Sequence, residues 1–273
     1  MEERTTPVAR WWGNFPVPPH EGGTWEIGPL RLWIFHDTNE WRVGHKHSDD
    51  PLDGSLELQG RLRRMPAEEV KIHRFASSEK ESLLYLLPRV ADRPVVSQAE
   101  NAFHVMPGSE VQVYLSTPVW IEVRANEQTL VDIPTFRPSD TWFGSNTIEG
   151  ELCYTSITMV RLDQNILPRR CNRAITCLRI KNRAKDPLVL DRLKLPVPNL
   201  SLYVDRTGQL WTQSLSVERA EDGSMAKIKL DQGSPDEAGH TELVSPPRTP
   251  VPKNVFVRAL DALMSQTNES DQC

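Results

Sequence analysis

The chain has 273 residues, 38% of them hydrophobic and 25% charged, with a formal net charge of −5. That composition supports a folded core and excludes a disordered polymer, while the acidic balance argues against general nucleic-acid binding, which needs a basic footprint. No apolar run approaches the roughly 18 residues of a membrane span.

The 22 prolines outnumber the 14 glycines and are spread along the chain. Long helices do not survive such spacing, whereas short strands joined by proline turns do. The start, Met1-Glu2-Glu3-Arg4, lacks the basic and apolar pattern of a secretory signal. A cytoplasmic protein is expected, with Cys153, Cys171, Cys177 and Cys273 as reduced thiols. Cys171 and Cys177 lack a second Cys/His pair at zinc spacing.

In chain order, residues 1–20 read as a proline-extended entry, either a proline-rich binding segment or, as three exposed aromatics would be sticky, a stretch with Trp11, Trp12 and Phe15 tucked against the first sheet. Residues 24–43 alternate as an antiparallel meander, turning at Gly28-Pro29 and at Asp37-Glu40. His45 and His47 share a strand face and invite a metal, but two imidazoles in a polar segment fit a solvated loop better. No metal and no cofactor are expected. Residues 48–68 read as a polar linker, Val70-Ile72 and Leu83-Leu87 as strands, and Pro88-Pro94 as a connector.

Residues 95–231 carry the most regular pattern. Strand candidates there are 111–115, 119–123, 130–133, 175–180, 188–193, 200–204, 210–217 and 225–230. Residues 232–252 are a proline-rich linker. From Asn254, the spacing of Phe256, Leu260, Leu263 and Met264 predicts a short apolar-striped helix that must dock on its own body or on a partner. The expected fold is all-β. It has an N-terminal β-meander unit (1–94), a larger β-sandwich-like domain (95–231), and a linker with a short C-terminal helix (232–273).

The densest unusual chemistry runs from Asp132 to Ser156. Pro134 and Pro138 exclude a helix or central strand, and Ser139 and Asp140 favour a turn. Beyond Thr147, parity places Ile148, Gly150, Leu152 and Tyr154 on one face and Glu149, Glu151, Cys153 and Thr155 on the other. One interpretation is a surface site of Arg137, Asp140, Glu149 and Glu151 beside Trp142. The other is a structural crossover, with Trp142 and Phe143 plugging the core, Asp140 tying the turn and Arg137 paired with a glutamate.

A second feature is basic. Residues 161–194 concentrate arginine and lysine, and Arg179, Lys181 and Arg183 share a strand face. Such a stripe binds an anion or acidic partner, or else pairs with acids elsewhere and guards an edge. No nucleotide-binding, metalloprotease or nucleophile-elbow motif is present, and the histidines are scattered.

Several segments resemble the prokaryotic family known as domain of unknown function 432. They are Trp11-Trp12-Gly13, Trp25 to Trp33, Pro134 to Gly144, Glu149 to Tyr154 and Leu195 to Tyr203. The likeness covers roughly residues 10–265. It implies no activity and no catalytic residue. For partners it implies only an association, through neighbouring genes, of some members with small-conductance mechanosensitive channels. The expected function is a non-catalytic binding or regulatory module contacting a protein or anionic partner through Arg137, Trp142, Tyr154, Arg179, Lys181 and Arg183. The alternative is an enzyme on a small or saccharide-like ligand, with Asp140, Glu149 or Glu151 as acid/base and Trp142 as a stacking platform.

Overall fold

Period-two alternation and proline turns yield strands along the whole chain. A computed structural model describes residues 10–66, 70–77, 82–144, 150–158, 160–221, 226–250 and 257–258. It is 58% strand with no helix of seven or more residues among those described, so the protein is all-β.

In order the strands are β1 (Gly13–Pro16), β2 (Glu21–Ile27), β3 (Leu30–His36), β4 (Glu40–His47), β5 (Leu56–Leu62), β6 (Lys71–Ala76) and β7 (Leu83–Arg89). Then come β8 (Val95–Val105), β9 (Glu110–Pro118), β10 (Trp120–Ala125), β11 (Gln128–Pro134), β12 (Ser139–Phe143), β13 (Glu151–Thr158) and β14 (Arg173–Asn182). The last are β15 (Leu188–Leu195), β16 (Leu202–Asp205), β17 (Leu210–Thr212), β18 (Leu215–Arg219), β19 (Ala226–Leu230), β20 (Thr241–Ser245) and β21 (Val257–Arg258).

They pair into a meander sheet, β5-β2-β3-β4-β6, and a bridging sheet, β1-β7-β10-β11. A mixed sheet has the order β12-β13-β8-β15, and a large sheet runs β20-β16-β17-β14-β18-β19-β21 with β9 also on β14. The meander and bridging sheets stack through their apolar faces. Ile27, Leu30, Leu32, Ile34 and Val43 on one side join Leu84, Leu86, Ile121, Val123 and Ile133 on the other in one buried cluster. Each such side chain contributes roughly 1.5–3 kcal/mol of transfer free energy.

The entry segment behaves as its aromatics require. Trp11 is buried and its indole Nε1 donates to the carbonyl of Cys171 at 2.8 Å. Phe15 meets Trp25 edge to face, with centroids 5.4 Å apart. The Gly28 turn has φ +56, and a Cβ there would lie 2.6 Å from the Asn172 side chain, so both conformation and space demand glycine.

Several expectations need correction. The 48–68 segment contains β5, recruited by cross-strand pairing to β2, and the 232–252 segment contains β20, which completes an edge beside β16. Strand β7 continues through Pro88 and Arg89, which lie opposite Ile121 and Trp120 of β10. The 210–217 run divides into β17 and β18, both pairing in parallel with β14. Of the C-terminal helix, only Val257–Arg258 falls within the described residues, and it is a short strand on β19.

Candidate functional site

The stretch around Trp142 forms β12 and β13, an antiparallel pair at one edge of the mixed sheet. Trp142 does not plug the core. It is 43% exposed and lies directly across from Leu152, itself 39% exposed. The plug is formed instead by Trp120, Phe136 and Tyr154. Trp120 stands 5.6 Å from Phe136 and 5.4 Å from Tyr154, ring centre to ring centre. Strand parity explains the exchange. Trp142 shares a sheet face with buried Val95 and Ser97, but it lies near the end of the outermost strand and is left partly exposed.

Polar groups border the exposed pair at Asp140 and Tyr154, the next same-face positions on the two strands. Tyr154 Oη donates to Asp92 Oδ1 at 3.0 Å, and the Arg93 guanidinium lies over the Tyr154 ring. Burial, then the bond to Asp92, raises the Tyr154 phenol above its usual range. Arg93 also reaches Asp140 at 3.4 Å, so Asp140 closes an ion pair rather than a turn. On the opposite face Phe143 lies under two cations, Arg192 and Lys194, and Lys194 pairs with Glu151 at 2.5 Å. Arg137 is largely exposed and, among the described residues, approaches Asp49 at 3.9 Å. Glu149 lies outside the described residues.

The basic stripe is assembled on β14 as parity requires, and each member meets a carboxylate. Arg179 faces Asp231 and Asp236, Lys181 pairs with Glu110 at 3.1 Å, and Arg183 pairs with Glu218. Arg173, from the same basic run, behaves differently. It is 6% exposed and donates to the Ser116 carbonyl and Ser156 Oγ, and burial lowers its pKa to about 10.

Two polar groups were legible in part or not at all: His45 and His47 share a face as expected but lie half-buried on β4 rather than in a solvated loop. His73 of β6 joins His45 and His47, with ring centroids 5.7 and 5.9 Å from that of His45. His47 Nε2 bonds the Pro134 carbonyl at 2.8 Å. Burial, then neighbouring His47, His73 and Lys71, lowers His45 to about 4. The second group lies on the outer face of the bridging sheet. Glu122, nearly buried, is held by Arg89, Arg124 and the Thr129 hydroxyl, and beside it Asp132 pairs with Arg248 at 2.5 Å. Desolvation raises the Asp132 carboxyl. Arg248 also donates to the Val90 carbonyl, so the segment after β20 is tied down across this charge cluster. Cross-strand register, not sequence spacing, brings Glu122 opposite Asp132.

No group of three or more ligating side chains among the described residues could hold a metal ion, and no described helix is long and apolar enough to cross a membrane. Cys153, Cys171 and Cys177 are free and buried, and burial pushes each thiol up to about 11, which disfavours the thiolate of a reactive cysteine. No curated protein and no solved structure matches the chain. A family model described as a protein of unknown function, DUF432, matches residues 11–265. With nearly its whole length covered by that match, the chain belongs to the DUF432 family.

Proposed function

We propose that the chain is a non-catalytic binding module whose contact surface is the β12–β13 edge. Trp142 and Leu152 would be its apolar centre, and Tyr154, Arg93, Asp140 and Arg137 its polar rim. The observation that carries this reading is the exposed Trp142–Leu152 pair, cross-strand neighbours on an edge of the sheet. An aromatic anchor ringed by polar groups is the usual anatomy of a protein contact. A protein partner fits better than a free anion, because Arg179, Lys181 and Arg183 already face carboxylates of their own chain. The family resemblance makes a membrane channel one candidate partner.

An enzyme on a saccharide-like ligand is the second reading, favoured by the exposed indole beside Asp140. It requires a carboxylate released from its ion pair, since Asp140 is held by Arg93 and Glu151 by Lys194.

Affinity capture from native extract separates the readings, using wild type, Trp142→Ser and an Arg179→Glu/Lys181→Glu/Arg183→Glu variant. The expected result is a protein retained by wild type and by the triple variant but lost with Trp142→Ser. Equal retention by Trp142→Ser, with loss in the triple variant, moves the contact surface to the stripe.

A further inference from the structure

Away from the β12–β13 residues, the β1 edge of the bridging sheet and the β2–β5 edge of the meander sheet leave a gap. Phe15, Pro16 and Val17 at the β1 edge, and Trp25 and Leu58 of β2 and β5, wall a slot of about 260 Å³. The hollow has a definite cause. Gly23 and Gly60 face each other in register on the face that carries Trp25, Ile27 and Leu58; the Trp25 ring fills the space over Gly23, while the exposed Gly60 leaves its own position open. At Gly23 a Cβ would stand 2.6 Å from the Trp25 ring, so glycine lets the indole lie against the backbone. At Gly60 a Cβ would meet nothing within 4 Å. Leu58, on the same face, is left 42% exposed.

The mouth of the slot is strained and charged. The β2–β5 register jumps between Gly22↔Leu62 and Gly23↔Gly60, which leaves Arg61 as the extra residue of a bulge. Its φ is +67. A non-glycine residue in this region is disfavoured, and bulges commonly re-aim a side chain at a functional edge. Arg61 and Glu21 both line the slot, both are exposed, and neither forms an ion pair with another described residue. The site therefore combines an aromatic wall, an empty floor, one cation and one anion.

We propose that this slot binds a free apolar α-amino acid. Its side chain enters over Gly60 against the edge-to-face Phe15–Trp25 pair, its carboxylate meets the Arg61 guanidinium and its ammonium meets Glu21. The size fits one ring or branched chain: an apolar cavity of about 150 Å³ holds benzene, and drug-sized ligands need about 300 Å³ or more. A ligand with only one charge would leave Glu21 or Arg61 unmatched. The site is separate from the Trp142 surface and does not depend on it.

Calorimetric titration of the full chain with L-phenylalanine, 3-phenylpropionate and phenethylamine tests the assignment. Saturable binding of phenylalanine is expected at about millimolar affinity or tighter, with each singly charged analogue weaker by roughly tenfold. Gly60→Leu fills the slot and should abolish binding. Arg61→Gly should weaken it roughly tenfold while leaving the melting temperature unchanged or raised, because glycine accepts the positive φ without strain. Absence of saturation with phenylalanine overturns the proposal. So does undiminished binding by Gly60→Leu or Arg61→Gly, and an analogue binding as tightly as phenylalanine overturns the zwitterion assignment.

Discussion

Two tryptophans, Trp120 and Trp142, differ in what surrounds them. Trp120 is 3% exposed and packed between Phe136 and Tyr154, whereas Trp142 lies at the end of the edge strand β12 with much of its ring in solvent. Both are aromatic residues in strands that follow a proline, Pro118 and Pro138. Their fates are set by which strand is central to its sheet: β10 is flanked by β7 and β11, while β12 ends its sheet. A buried tryptophan is explained by packing. An exposed tryptophan facing an exposed leucine is not, and that is why the β12–β13 edge, rather than the aromatic corner, is the candidate contact surface.

This contrast can be broken or sharpened in several ways. The largest effect is expected at Trp120, where substitution by alanine should cost about 3–5 kcal/mol in a denaturant titration; a loss near zero would erase the distinction. Acid comes next and should act on the buried side only. His45 faces His47 and His73, with Lys71 also nearby and Arg137 beside His47. Its folded pKa of about 4 lies below the ordinary 6.5, so its contribution to stability is complete above pH 6.5. It declines as the pH falls toward 4, because the unfolded chain binds the proton first. The melting temperature should therefore fall across that window, and His45→Gln should flatten the slope.

Smaller still is the stripe. Arg183→Ala removes an ion pair whose members are both about half exposed, so a loss under about 1 kcal/mol is expected by thermal melting. Least of all, Trp142→Ser should leave stability within about 0.5 kcal/mol of wild type. A loss as large as that of Trp120→Ala would return Trp142 to the core.

Strand content and the positions of most strands were legible, because alternation is local. The parity of Leu152 and Tyr154 against Glu151 and Cys153 was legible for the same reason. What alternation cannot carry is strand order. Nothing in the spacing of Glu122 and Asp132, or of Arg248 and Asp132, announces that they meet, since only register brings them together. Strand β5 was hidden because it is exposed for most of its length and Gly60 with the bulge at Arg61 breaks the alternation of Leu56, Leu58 and Leu62, and β20 because prolines bracket it. Arg179, Lys181 and Arg183 were found as a face, but their carboxylates come from β9, β18 and the segments after β19, distant in sequence. The Trp142–Phe143 pair misled because large aromatics are usually core residues, and edge position is a tertiary property.

Hydrogen–deuterium exchange of the wild-type chain, with and without its captured partner, tests the contact surface most directly. The account predicts slowed exchange confined to Ser139–Phe143 and Glu151–Tyr154, with β14, β18 and β19 unchanged. Protection of β14, β18 and β19 with β12 and β13 unaffected would contradict it.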